Sequence, residues 1–190
     1  MRKFLVLLLA CLLSTTVYAQ EHLTFKGIPI DGNLNSFVSK LKAQGWNGVE
    51  VNEENAILEG NFGGESCKLL LYSTKSTKTV YQAVVILNND SSWSSLKTTY
   101  NEYKALLKSK YGKGTSYEFF TSPYEEGDGY EMSALRNDKC TYATTHDVPN
   151  GTITLFIVSA YNGSVALYYV DKLNEALAEQ EKSSQQINDL

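Results

Sequence analysis

Two histidines, a cluster of carboxylates and three cysteines are the residues of this sequence whose types could carry chemistry. Nucleophilic catalysis needs a base beside the nucleophile with a pKa near the working pH, usually histidine. His22 lies near the start of the folded region, and His146 ends a strand-like run that enters the turn Asp147-Val-Pro-Asn-Gly151. A polar residue at a strand end is expected to face solvent, so no catalytic residue is assigned and His146 stands only as the best surviving candidate base. The sequence contains no Gly-x-Ser-x-Gly elbow, no His-Glu-x-x-His pair and no phosphate-binding glycine loop. Two histidines without nearby cysteine pairs do not make a zinc set, and no metal or other cofactor is assigned.

The most unusual local segment is Pro123-Tyr-Glu-Glu-Gly-Asp-Gly-Tyr-Glu131. Glu125, Glu126, Asp128 and Glu131 are hard oxygen donors of the kind that bind Ca²⁺, but the alternation of an EF-hand loop is absent. Glycosidase carboxylates stand about 5 to 9.5 Å apart across a cleft, an arrangement that neighbours on one flexible loop seldom reach. A solvated acidic hairpin loop is the expectation. Aromatic residues crowd the same region, among them Tyr117, Phe119, Phe120, Tyr124 and Tyr130. Amphipathic aromatics favour recognition surfaces, which makes Tyr117, Tyr124, Glu125, Glu126, Asp128 and Tyr130 a candidate one. The competing expectation is that aromatics at strand spacing fill the core on one face and cover the sheet on the other. For Cys67 and Cys140 two readings stand open: a disulfide, or two small buried residues in separate places.

The compartment is read from the first nineteen residues. Arg2 and Lys3 precede the apolar run Phe4 to Leu13, and Val17-Tyr18-Ala19 precedes Gln20. A charged start, a short hydrophobic stretch and a small-residue site predict a secretory signal peptide, too short to span a membrane at about 20 residues. Leu8-Leu9-Ala10-Cys11 also fits a lipoprotein signal, but Leu12-Leu13 continue the apolar run where polar residues normally follow a lipidated cysteine. Cleavage after Ala19 is the preferred reading, giving a periplasmic or extracellular protein; membrane association follows only if Cys11 is lipidated. Loss of Arg2 and Lys3 leaves 15 basic residues against 21 acidic ones, a formal charge of −6. Such a surface repels nucleic acid and anionic lipid.

Several elements must position these residues. Leu23 and Phe25 form a short strand before the turn Gly27-Ile-Pro-Ile-Asp-Gly32. Leu34, Phe37, Val38 and Leu41 recur at helical spacing, with Asn33 or Asn35 as cap and Gly45 as stop. Strand patterns follow at 49–51, 56–62, 67–73 and 80–87. Asp90 or Ser91 opens a second helix carrying Trp93, Leu96, Tyr100, Tyr103 and Leu107, which Gly112 ends. Further strands are expected at 117–120, 130–135, 140–145, 152–160 and 165–170, then a helical stretch capped by Asp171 and a fraying tail. Short connections imply an antiparallel sheet with helices on one face, an α+β fold. The order reads as two tandem helix-plus-strands units at 20–90 and 91–170, followed by the tail at 171–190. Setting Cys67 on Cys140 aligns Val84-Val85 with Ile157-Val158 without a gap, and extra residues of the second unit then fall within 122–129.

The opening Leu23-Thr-Phe-Lys-Gly-Ile-Pro-Ile-Asp-Gly32, the helix of Phe37 to Leu41, and the Trp93, Tyr100, Leu107 helix ending Lys110-Tyr-Gly112 resemble a group of small secreted α+β proteins of Bacteroidetes. That resemblance covers most of the mature chain and carries no assigned activity. At the level of architecture alone, the two units also resemble the β-lactamase inhibitory protein, with no binding residue transferable. Fold does not decide function. The expectation is an exported binding or interaction protein and not an enzyme, whose partner is a protein, peptide or glycan. An exported hydrolase and a carbohydrate-associated accessory module are the alternatives.

Overall fold

The computed structural model describes residues 21–89 and 92–189. The expected signal segment, with Cys11 and the expected cleavage point after Ala19, lies outside the described residues, as do Asp90 and Ser91. In chain order the elements are β1 (Thr24–Phe25), β2 (Ile28–Pro29), α1 (Leu34–Ala43), β3 (Asn47–Val51), β4 (Asn55–Phe62), β5 (Glu65–Ser73), β6 (Val80–Asn89), α2 (Trp93–Tyr111), β7 (Thr115–Phe120), α3 (Glu131–Arg136), β8 (Cys140–Val148), β9 (Gly151–Val158), β10 (Ser164–Asp171) and α4 (Lys172–Asn188). β1 and β2 make a small hairpin, and the other eight strands form one antiparallel sheet in the order β3-β4-β5-β6-β10-β9-β8-β7. The fold is α+β.

Periodicity explains the helices. In α1 the Asn33 side chain accepts the Asn35 N–H at 3.0 Å, and Leu34, Phe37, Val38 and Leu41 are buried. Ser92 caps α2, which buries Trp93, Leu96, Tyr100, Tyr103 and Leu107. Gly45 and Gly112, at φ 91° and 82°, take the left-handed conformations that release the chain from each helix. α1 packs on β3, β4 and β5, and α2 on β8, β9 and β10. Between them and the sheet lies the main core, built from alternate strand residues such as Leu58, Leu69, Leu71, Val85, Leu167, Ile153 and Leu155. Trp46 lies over Gly60, where an added Cβ would fall 2.4 Å from its ring.

α4 lies across the end of the sheet. Asp171, fully buried, accepts the Leu173 and Asn174 N–H groups at 3.1 and 3.0 Å, the Leu23 N–H at 2.7 Å, and faces His22 Nδ1 at 3.1 Å. One carboxylate thereby caps α4 and fastens the first described strand to β10. Asn174 Nδ2 donates to the Ile30 and Val80 carbonyls at 2.9 and 3.1 Å. Farther along, Glu181 accepts the Ser76 N–H at 2.7 Å, which joins α4 to the β5–β6 turn.

Three expectations need correction, and one open alternative, the pairing of the cysteines, is decided. Residues 130–135 are a helix, α3, because β7 pairs directly with β8 from Phe120↔Cys140 onward and leaves the intervening segment no strand to join. The tail expected to fray is helical to Asn188, where the Glu181 link and the Asp171 cap hold it. Cys67 and Cys140 are free thiols on β5 and β8, four strand spacings apart, about 19 Å at 4.8 Å each, far beyond disulfide reach. The gapless alignment through those cysteines also fails as a structural equivalence. It pairs β5 with β8 and β6 with β9, whereas positions equidistant from the central β6–β10 pair match β5 with β9 and β6 with β10.

Candidate functional site: the open sheet face and the surroundings of His146

Side chains alternate across a sheet, so the face turned away from α1 and α2 can be read from the register. Ile57, Leu70, Val84 and Tyr168 lie in one row across β4, β5, β6 and β10. The next row runs Ile86, Ala166, Phe156, Ala143 and Tyr117 across β6, β10, β9, β8 and β7. Val84, Ile86 and Ala166 are buried beneath Leu70, Tyr72, Val158 and Tyr168, a second cluster separate from the main core and made only of strand residues. Phe156 meets Tyr168 edge-on at 5.1 Å. Toward the β7 edge the band opens fully, with Tyr117 58% and Phe119 50% exposed. An antiparallel sheet with one solvated face ordinarily turns polar residues outward. Here much of the outward face is aliphatic and aromatic.

At one end of this face a cleft of about 500 Å³ is lined by Asn47, Glu59, Lys68, Ile86, Tyr161 and Ser164, among others. Tyr161, half exposed, lies in the turn 160–162 with φ 55° and ψ 37°, and Asn162 follows at φ 72°. Left-handed backbone costs a non-glycine residue about 1 kcal/mol, and such outliers cluster at ligand clamps. The Lys68 ammonium lies 4.7 Å from the Tyr161 ring centroid.

The residues singled out from the sequence are divided by the fold. Tyr117 belongs to the open face. Glu126 is turned the other way: it pairs with Lys97 of α2 and accepts from the Tyr142 hydroxyl at 3.0 Å. The Lys97 contact, more than any other, holds its carboxyl below the usual range. Asp128 accepts the Glu125 and Tyr130 N–H groups at 2.9 and 2.7 Å, and Glu131 accepts the Gly127 N–H at 2.8 Å. The acidic loop thus uses these carboxylates to hold its own backbone. Glu125 and Tyr130 remain exposed, and Tyr124 is half-buried beside Asn137. The six do not converge on one surface. What sequence reasoning missed is Leu70, Tyr72, Phe156 and Tyr168. Their signal was the unbroken apolar run, as at Ala83–Leu87 and Val165–Tyr169, where a one-sided sheet should alternate.

His146 is not at a solvent-facing strand end. It lies within β8, 3% exposed, on the side of the sheet that faces α2. Neither ring nitrogen has a hydrogen-bond partner among the described residues. Burial lowers its pKa; the Gly112 carbonyl pulls the other way from outside hydrogen-bonding geometry. Beside it, Thr144 Oγ1 lies 2.6 Å from the Tyr100 hydroxyl and 2.9 Å from Ser116 Oγ. Tyr100 also donates to Glu118 at 3.0 Å, and Glu118 pairs with Lys104. Burial pushes the Tyr100 hydroxyl far above its ordinary pKa, so it stays a proton donor. Burial likewise raises the thiols of Cys67 and Cys140 to about 11 and about 12, which makes both poor nucleophiles at neutral pH.

Among the described residues no group of three His, Cys, Asp or Glu side chains is arranged to hold a metal ion, and no helix is long and apolar enough to cross a membrane. No protein family, curated protein or solved structure matches this chain.

Proposed function

We propose that this chain is an exported binding protein that holds a protein partner on its open sheet face. The observation that carries this reading is the band from Leu70 through Phe156 to Tyr117, which keeps large apolar side chains on the face the helices leave free. Eight strands at 4.8 Å spacing, each about eight residues long, make a face about 34 Å by 27 Å. That matches the roughly 800 Å² each partner contributes to a standard interface. Exposed apolar side chains gathered on one face, as at Tyr117 and Phe119, mark association surfaces. Glu50 and Glu59 on β3 and β4, and Asp147 on β8, share this face at its margins. The charge complement is therefore a partner that is apolar at its centre and basic at its rim.

The test uses Tyr117→Glu with Phe156→Glu, against Leu106→Glu, an exposed position on α2. A protein recovered from the native cell envelope or culture fluid is purified and its affinity for each variant measured. Loss of at least about tenfold in the double variant, equivalent to about 1.4 kcal/mol, with Leu106→Glu unchanged, supports the reading. Equal affinity in all three, or binding of purified glycans where no protein binds, overturns it.

A further inference from the structure

Beyond the docking of a protein, we propose that the cleft beside Tyr161 is a binding site for a neutral oligosaccharide. The row of outward side chains that is largely apolar from Tyr117 to Ile86 turns polar beyond β6, where Ile86 is followed by Lys68, Glu59 and Asn47 on β5, β4 and β3. Asn61 and Ser66, opposite each other and two residues away along β4 and β5, extend the same face. These side chains line the cleft of about 500 Å³, a volume within the roughly 300 to 1,000 Å³ of small-molecule sites. The strands β4, β5 and β6 beneath it are interior ones, paired on both sides, so no peptide can join them as a further strand. Recognition in the cleft falls to side chains.

One wall of the cleft is held in a strained conformation. The connection 159–163 between β9 and β10 turns back against β6 and sets the Tyr161 ring beside Lys68 of β5. Tyr161, Asn162 and Gly163 have φ of 55°, 72° and 118° in succession, and for a bulky residue such as Tyr161 this is an outlier. The Ala160 carbonyl accepts the Gly163 N–H and the Ser164 hydroxyl, each at 3.0 Å, which braces the turn. The ring nevertheless stays 50% exposed, so its own burial does not account for the strain. A second observation is independent of the turn. Glu59 and Lys68 are direct cross-strand partners, the arrangement in which opposite charges ordinarily pair, yet no ion pair joins them among the described residues. Asn47, Glu59, Asn61 and Ser66 are exposed and make no side-chain hydrogen bond among the described residues. One carboxylate and one ammonium leave the cleft without net charge, which favours neither an anionic nor a cationic ligand. Two carboxamides, a hydroxyl, a carboxylate and an ammonium match vicinal sugar hydroxyls, which donate and accept together. The half-exposed tyrosine ring beside them suits the apolar C–H face of a pyranose.

The experiment screens the chain from Gln20 onward, purified without any partner, on an array of neutral, sialylated and sulfated glycans, and measures affinity for the strongest ligand by calorimetry. No protein partner is present, so the outcome does not depend on whether the sheet face docks one. The expected result is saturable binding of a neutral glycan, weakened at least about tenfold in Tyr161→Gly and in Asn47→Ala with Asn61→Ala, and unchanged in Leu106→Glu. Glycine adopts a φ of 55° without strain, so Tyr161→Gly should keep or raise the unfolding midpoint while it loses binding. A purely structural role for the ring does not produce that combination. The asparagine variant replaces two exposed side chains and keeps the test decisive should the turn variant fold poorly. Binding of sialylated or sulfated glycans alone, binding of no glycan on the array, or a neutral glycan held equally well by all the variants overturns the proposal. A lowered midpoint in Tyr161→Gly together with full binding by the asparagine variant overturns it as well.

Discussion

A buried histidine with no hydrogen-bond partner among the described residues is expected to make this fold sensitive to mild acid. Because burial lowers the folded-state pKa of His146 below 6.5, the unfolded chain binds its proton more readily. Stability linked to this group is therefore present above about pH 6.5 and is lost as pH falls through that region. Lys104 and Lys108 of α2 and nearby Tyr111, whose ring lies 6.2 Å from the imidazole, supply no carboxylate to hold the imidazolium. Urea unfolding at pH 7 and pH 5 should show a loss of stability in the natural chain that His146→Leu abolishes. Losses from paired carboxylates such as Glu126 begin lower, below its ordinary pKa of 4.5, and should persist in that variant. An unchanged slope between pH 7 and pH 5 would contradict the assignment. At this scale the sequence was a partial guide. His146 was recognisable as the one histidine within the strand region, but its burial depends on α2, which crosses over it from more than thirty residues away. Period-two alternation alone could not say which side of β8 that helix would cover.

Elements were more legible than single side chains, for reasons that differ along the chain. α1 and α2 follow from their apolar spacing, the Asn33 cap and the glycines after them, all local signals, although α2 is capped by Ser92 and not by the Asp90 or Ser91 expected. The Asp171 cap was equally visible; its service to Leu23 and His22, across 148 and 149 residues, was not. Replacing Asp171 should therefore cost more than an isolated cap. Asp171→Ala removes the acceptor for three backbone N–H groups, two of them buried, and is expected to lower stability by about 3 kcal/mol. Chemical denaturation checks this, and a loss below about 1 kcal/mol would show that solvent or another group replaces the carboxylate. α3 was misread because Met132 and Leu135 fit a short strand almost as well as one helical turn. Direct pairing of β7 with β8 decides the matter, a long-range event without a local signature.

At the scale of the molecule, an antiparallel sheet with helices over one face was accessible from element order and short connections. Which strands are central was not, since β6 pairs with β10 across more than seventy residues. Those central strands carry the apolar runs, so the character of the open face emerges only once the order is known. Export is a separate expectation. Intact mass of the protein recovered from outside the cytoplasm should correspond to a chain starting at Gln20, with or without cyclisation; a diacylglyceryl-modified Cys11 terminus would place it on a membrane instead. The central claim is that the open sheet face is where a protein partner docks. Site-specific photo-crosslinking tests it most directly, with the reactive side chain placed at Phe156, at Leu70 and, as a control, at Leu106. The account predicts that positions 156 and 70 crosslink to the same protein while position 106 does not. Crosslinking from position 106 with none from the sheet face would contradict it.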